Sequence, residues 1–551
     1  MENLSNYIIA HALKNAIEFD KTDASKILPK LFKHGLKRED IKEVMPKIQQ
    51  TVKEINSMKK EEQEKLFSKL ENLIPEKEER EGLKELPNIG KNMVFRAAPF
   101  PSGAIHIGNA RTFLLNAMYA EKYKGKIKLV MDDTIGSEQK PISPEAYDLI
   151  QESFDWLGIK YAKPIIYKSD RLKIYYKYAE KLIKKNKAYV CHCEQEILRE
   201  NRKKGLECSC RQFPKEEQMK RWKKMFKAKM GSAVLRIKTD MLHPNPAFRD
   251  RVLFKISDRK HPKVKNKYRV WPTLEMSWAI DDHLLKITHI IRGNDLLIET
   301  DMERFIWNIL GWKPPTTIHN GLINLSGIDA KISKSKAQKE VNSGEYSGWD
   351  DPRTWSIQSL KRRGIKSEAI REFIKDLGVT SNNTTVPIDT LYSINRKLID
   401  KDANRFFFVP NPIKIKIKNK PEINKISIPI HPEKKETREL NVEEIFISKN
   451  DFENLKGKEI RLLHLYNIKL DKTKHEAEFT STELKPNPKI QWVSNGIKCE
   501  ILMPDSKLEK GIAEPTIKTL KKDEVLQFER FGFVKYDEIK NGKQTFWFTH
   551  K

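Results

Sequence analysis

The sequence predicts a multidomain α/β chain, and three observations predict it. Residues 91–133 read as strand, loop, helix and strand. A sheet-like pattern breaks off near residue 189 and resumes near residue 280. From about residue 410 the apolar period changes to two and keeps that value to the end. The first pattern is a βαβ half-unit of a parallel sheet. The second describes a domain inserted between the halves of one sheet. The third is an all-β domain of barrels. Together they give a Rossmann-type parallel sheet with an inserted domain, a helical connecting domain, a C-terminal β-barrel domain and an N-terminal helical appendage.

The elements follow in order. Residues 1–88 form the appendage: Leu4, Ile8, Ile9, Leu13 and Ile17 recur at helical spacing, and the stretch from Lys59 to Glu85 is dense in Lys and Glu. No catalytic pattern occurs there, and a solvated helical extension is the expected reading. Residues 89–188 carry the first half of the sheet, opening with NMVFRAAPFPSGAIHIGNARTFLLNAMYAEKYKGKIKLVMDD. Residues 189–270 are the insertion, with four Cys, basic helices and HPNPAFRDRV. Residues 271–325 complete the sheet with HLLKITHIIRG and TTIHNGLINL. Residues 326–409 are loop and helices (SEAIREFIKDLG, LYSINRKLIDKDANRFF). Residues 410–551 carry short strands such as PIKIKIKNK, KIQWVS and GFVKYDEI.

Composition narrows the class. In 551 residues, 33% are charged and the formal net charge is +29. So basic a chain favours a polyanionic partner, because each neutralised phosphate releases a condensed counterion. A Lys- and Glu-rich, thermophile-like surface explains many charges but not the imbalance. No apolar run approaches the ~20 residues needed to span a bilayer, and the first residues carry acids rather than a signal-peptide pattern. The expectation is a soluble, cytoplasmic monomer without a membrane partner.

Three stretches carry chemistry. In Pro99-Phe100-Pro101-Ser102-Gly103-Ala104-Ile105-His106-Ile107-Gly108-Asn109, a Pro- and Gly-bearing loop enters a helix. Gly103 and Gly108 allow close backbone approach to a ligand, and the helix N-terminus offers N–H groups to phosphate. Taken alone it is equally a plain strand-to-helix turn. In Lys331-Ile332-Ser333-Lys334-Ser335, two lysines at i and i+3 form a compact cationic loop able to close over a triphosphate. Taken alone it is more often solvated surface. Cys191-x-Cys193 and Cys208-x-Cys210 form two tight thiol pairs, with Cys499 far off. Four soft ligands in an intracellular chain suit a tetrahedral Zn²⁺ rather than disulfides. His192, between two ligands, is expected to point outward.

Taken together, the first two stretches resemble the HIGH and KMSKS motifs of class I aminoacyl-tRNA synthetases, here written HIGN at 106–109 and KISKS at 331–335. The resemblance extends to the glutamyl/glutaminyl branch in its archaeal and eukaryotic form. It is carried by FRAAPFPSGAIHIGNAR, the acidic DDT at 132–134, YRVWP at 268–272, AIDDHLLKITHIIRGND at 279–295 and SGWDDPRTWSIQSLKRRGI at 347–365. NRKLIDKDANRFFFV, IRLLHLYNI, IQWVS and FERFGFV extend it into the β domain, so that it covers about residues 89–551.

The resemblance implies ATP-dependent attachment of L-glutamate to tRNA(Glu) through a glutamyl-adenylate, with Mg²⁺ accompanying ATP. It makes the insertion a tRNA acceptor-binding domain with a structural Zn²⁺ on Cys191, Cys193, Cys208 and Cys210, and the β domain an anticodon grip. It places Pro99, Ser102, Gly103, His106, Gly108, Asn109, Lys331, Ser333, Lys334 and Ser335 around ATP, with His106, Lys331 and Lys334 as the catalytic residues. Arg96, Asp132 and Arg292 fall on the amino acid. Arg292 is the informative one: glutamyl enzymes carry Arg there, and glutaminyl enzymes a small uncharged residue. A guanidinium fork is the natural reader of a side-chain carboxylate. The archaeal group often charges tRNA(Gln) as well. Phe100, Val130 and Leu274 depart from the family's pattern, and Trp271, Glu275 or Trp278 would reshape the pocket. The rival readings are a glutaminyl enzyme, which Arg292 opposes, an inactive tRNA-binding relative, which His106, Asp132 and Lys334 oppose, and a small tRNA-base-modifying relative, which the β domain opposes.

Overall fold

The structure is a computed structural model that describes residues 2–31, 34, 36, 38–74, 83–135, 141–328 and 334–551. The chain divides into two compact units, Met1–Glu81 and Gly82–Lys551. The first is a helical unit with its own core. Its helices Glu2–Phe19, Ala24–Leu31, Ile41–Ser57 and Lys60–Phe67 bury Ile8, Leu13, Ile27, Leu31, Ile48 and Ile55. Amphipathic spacing accounts for this: Ile8 and Leu13 lie on the buried stripe, and Ile9 packs at its edge.

The second unit is built on five parallel strands: β1 (Val94–Ala97), β2 (Lys126–Met131), β3 (Ala162–Tyr167), β4 (His289–Gly293) and β5 (Thr316–Asn320), in the order β3-β2-β1-β4-β5. β1 and β4 are buried along almost their whole length, and each carries one arginine, Arg96 and Arg292, into that interior. Helix α1 (Ile107–Lys122) follows β1, and α2 (Leu274–Leu284) and α3 (Leu297–Leu310) flank β4. Strand order reverses between β1 and β4, so a crevice opens beyond their carboxyl ends, the standard ligand position in such sheets.

Between β3 and β4 the chain leaves for an antiparallel four-stranded sheet, Ala188–Cys191, Val234–Ile237, Val252–Ile256 and Val270–Pro272. Trp222, Leu235, Phe254 and Trp271 share one core with Met276 and Ile280 of α2 and with Ile306 and Trp307 of α3. The insertion is thus welded to the parallel sheet rather than tethered. After β5, helix α4 (Lys334–Asn342) and the helices Ile357–Arg362, Ser367–Leu377 and Ile388–Ile399 lead to two β-sheets of seven and six strands with separate cores. The last strand, Lys543–His550, returns to these helices. The buried Arg363 guanidinium donates to the carbonyls of Phe548 and Thr549, and the amide of Asn395 lies 2.9 Å from His550 Nε2. The predicted multidomain α/β fold is the observed one.

Candidate active site

The loop from β1 to α1 lies at the reversal point. His106 is the N-cap of α1, and its Nδ1 accepts from the amides of Gly108 and Asn109 at 3.1 and 3.3 Å. Two helix-start donors are thereby satisfied by a ring nitrogen. An acceptor Nδ1 places the proton of the neutral imidazole on Nε2. Gly108 leaves room for the ring, since a Cβ there would lie 3.0 Å from His106 Cε1 and press on it. The backbone around His106 is also tied to the connecting helices: Ile107 N donates to Trp355 O, and Ile357 N to Ile105 O. Pro99 and Ser102 are buried in the loop, and Pro99 O accepts from Asp132 N at 3.0 Å, locking the loop to the end of β2.

The expectation for Gly103 was close approach to a ligand. The structure gives a different cause: at φ +152 a Cβ would lie 2.1 Å from Cη2 of Trp349. The glycine accommodates an indole from the connecting segment, whose Nε1 donates to Glu145 at 2.8 Å. Gly103→Ala is therefore expected to cost about 1–3 kcal/mol by overpacking, read by urea denaturation, with relief in the double variant Gly103→Ala/Trp349→Leu.

Lys331 and Ser333 lie outside the described residues, as does the side chain of Lys334. Lys334 opens α4, and Ser335 is exposed on its first turn. Ala337 of that helix is buried against Ala104 and Trp349. The helix that continues the lysine segment therefore packs on the loop carrying His106.

Behind the loop lies a buried set of charges, each already matched. Arg96 on β1 donates through Nε and Nη2 to Asp282 of α2 at 2.6 and 3.2 Å. Its guanidinium also stacks 3.6 Å from the centroid of the Trp278 ring. Asp132 pairs with Lys168 at 2.8 Å. Lys168 is fully buried, donates to Ser277 Oγ at 2.8 Å and sits 3.4 Å from the Trp278 centroid. Burial pushes its ammonium down, against the pull of Asp132 and Asp281. Arg292 on β4 forks onto Glu303 of α3 at 2.6 and 2.9 Å, and Nη1 also donates to Thr300 Oγ1. Burial pushes Glu303 up to about 8, with Arg292 opposing. Asp133, the second acid of the DDT stretch, accepts from Ser169 and Tyr147 instead.

Thus Arg96 and Lys168, the partner of Asp132, meet on the Trp278 ring, while Arg292 is held by Glu303 on the neighbouring helix α3. None of the three is an open charge. Sequence reasoning missed the counter-ions Lys168, Asp282 and Glu303. A signal existed: Glu303 stands at i, i+3, i+4 and i+7 with Ile306, Trp307 and Leu310, and so on the buried face of its helix, where a charge needs a partner. Of the departures, Val130 is core, Leu274 is half-buried at the start of α2, and Glu275 holds Arg251. Trp271 stacks on His261, so only Trp278 lies among the charges.

The thiol pairs converge as well. The sulfurs of Cys191, Cys193, Cys208 and Cys210 all lie within 4.8 Å of one another, with Cys191–Cys208 at 3.7 Å. A tetrahedral Zn²⁺ with ligands at about 2.3 Å spaces its sulfurs about 3.8 Å apart, so the donor set fits that ion. Arg236 Nη1 lies 3.9 and 3.8 Å from the sulfurs of Cys191 and Cys208. A hydrogen bond from Cys191, then Tyr189 and Arg236, hold Cys208 down to about 5. His192 is exposed, with its Nδ1 3.0 Å from Ser232 O.

In the β domain, Arg461 is buried, bonded to carbonyls at Leu465, Thr482 and Glu483, and Trp492 donates to Leu463 O from the core. His464 stands at φ +59 beside Phe407, and Arg530 pairs with Asp451 on the surface.

Comparison with known proteins covers the same ground. Residues 92–401 match the family of class I tRNA synthetases (E and Q), catalytic domain. Residues 403–488 and 489–537 match two anti-codon binding domain families of the same class. The glutamate–tRNA ligases of Pyrococcus furiosus and Pyrococcus abyssi are each 42% identical, over 98% of this chain and 99% of theirs. That of Methanocaldococcus jannaschii is 37% identical over 99% of both.

Proposed function

The chain belongs to the class I tRNA synthetases of the E and Q branch, and from that premise we infer that it is a glutamate–tRNA ligase. It joins L-glutamate to tRNA at the expense of ATP. The observation that carries this reading is the span of the match: the glutamate–tRNA ligases align with the catalytic and anticodon-binding parts alike.

The chemistry has two steps. The α-carboxylate of glutamate attacks the α-phosphate of ATP, giving glutamyl-adenylate and releasing pyrophosphate. The 2′-OH of the terminal tRNA ribose then attacks the activated carbonyl, and AMP leaves. Positioning and charge stabilisation are the protein's contribution. In this reading, ATP with Mg²⁺ enters the crevice at the strand reversal. The loop Pro99–Asn109 and the start of α1 receive its phosphates, with His106 Nε2–H as a donor. Lys331 and Lys334 neutralise charge that develops on the leaving pyrophosphate. Arg96 and Asp132 face the α-carboxylate and ammonium, and Arg292 the side chain. The four cysteines hold a structural Zn²⁺ that orders the acceptor-binding insertion. The protein works as a cytoplasmic monomer and charges tRNA(Gln) as well as tRNA(Glu).

Charging assays on purified tRNA(Glu) and tRNA(Gln), each with glutamate and with glutamine, test the reading. Glutamate is expected on both tRNAs. Glutamine alone being accepted would overturn it, and glutamate on tRNA(Glu) alone would restrict it to the discriminating form. Elemental analysis is expected to find one zinc per chain, absent from Cys208→Ser/Cys210→Ser. Four titratable thiols and no metal in the purified wild type would remove the zinc assignment.

A further inference from the structure

We propose that Glu303 sets how strongly the side-chain pocket prefers an acid over an amide, by compensating the charge of Arg292. The proposal rests on the assignment of Arg292 to the substrate side chain.

Both terminal nitrogens of Arg292 end on Glu303, at 2.6 and 2.9 Å. Nη1 also reaches Thr300 Oγ1, which itself lies 2.9 Å from His319 Nε2. Glu303 is completely buried and Arg292 is 3% exposed, so the pair sits in a dry, low-dielectric interior. Arg292 Nε, by contrast, is buried with no hydrogen-bond partner. Buried donors are nearly always satisfied, and an orphan of this kind calls for an acceptor from outside the protein.

When Glu303 is ionised, an arriving side chain therefore meets one N–H of a charge-compensated guanidinium rather than an open fork. A carboxylate oxygen and an amide carbonyl oxygen both satisfy such a donor. An uncompensated guanidinium would penalise the amide, because its buried charge would stay unmatched. Among the described residues, His319 from β5 also feels Arg292, but burial and the nearby Arg292 and Arg304 hold it below the usual imidazole range, so it carries no compensating charge. The other groups facing Glu303 are Asp282 from α2, Arg96 from β1 and Lys168 from the segment after β3. Arg96 is already matched by Asp282, and Lys168 by Asp132.

The test is ATP–pyrophosphate exchange by the full-length protein in the presence of tRNA, with glutamate and with glutamine as alternative substrates. Glu303→Gln keeps the shape and removes the charge. At about pH 9, where Glu303 is ionised, it is expected to raise the glutamate-to-glutamine ratio of kcat/KM by at least about tenfold. A purely structural role would lower both substrates together and leave the ratio alone. Wild-type protein gives a second reading that needs no variant. Burial pushes Glu303 up to about 8, so below that pH the protonated carboxyl leaves Arg292 uncompensated. The ratio is expected to fall as pH rises from about 6 to about 9, and to stay flat in Glu303→Gln. A pH-independent wild-type ratio, or an unchanged ratio in the variant, overturns the role of Glu303. Arg292→Gln separates the two levels: selective loss of glutamate upholds the assignment of Arg292, whereas equal loss of both substrates removes it.

Discussion

Replacing His106 by asparagine is expected to cut pyrophosphate exchange by about 10²–10³-fold, the usual loss when one preorganised donor is removed, while leaving thermal stability nearly unchanged. The separation follows from the two ends of the ring. Nδ1 caps α1 through the amides of Gly108 and Asn109, and asparagine is among the best N-cap residues. In the proposed reading Nε2 presents its proton to phosphate, and asparagine's shorter side chain, turned to the cap, does not replace it. His106→Ala loses both ends, so it should show the same drop in rate and about 1 kcal/mol of destabilisation in addition. Thermal melts beside the exchange assay check both. Full activity in His106→Asn would show that the residue serves only as a cap.

Arg292→Cys is expected to abolish glutamate activation and to destabilise the fold by about 3–5 kcal/mol at alkaline pH, the cost of leaving a buried charge without its partner. The partner is Glu303, completely buried and forked onto Arg292. The pH dependence has a definite sign. Glu303 has its native titration raised to about 8, so between the ordinary carboxylate range and that value the native state binds more protons than the unfolded state. Stability contributed by this group therefore falls as pH rises through the window. Removing Arg292 takes away the influence that opposes the rise. The variant should thus regain stability toward about pH 5, where Glu303 is protonated. Urea denaturation of wild type and variant at several pH values measures this. Arg292→Met/Glu303→Leu should recover most of the loss while remaining inactive. A pH-independent deficit would mean that lost packing, not a stranded carboxylate, is the cause.

Much of the site was legible in the chain. The βαβ texture around residues 91–133, the two motifs on either side of an insertion, and the paired cysteines each have local spacing that carries their meaning. The loop entering α1 and the thiol cluster lie where that spacing put them, whereas the cap by His106 appears only in the structure. The counter-ions were not legible. Arg96 meets Asp282 across 186 positions, and Lys168, in a stretch that reads as an ordinary helix start, proves to be a fully buried cation. Gly103 shows the same limit. Its freedom in φ is visible from residue type, but its cause, the ring of Trp349, comes from a segment far along the sequence.

By itself, the sequence determined the order of the domains, the parallel sheet with its insertion, and the membership of the class I tRNA synthetases of the E and Q branch. Those follow from periodicity and short-range spacing, which linear order records. Only the tertiary structure decided that Arg96, Asp132 and Arg292 each meet a buried partner, Asp282, Lys168 and Glu303, rather than standing open. Charge compensation depends on through-space distance and on exclusion of water, and neither quantity is written in the order of residues.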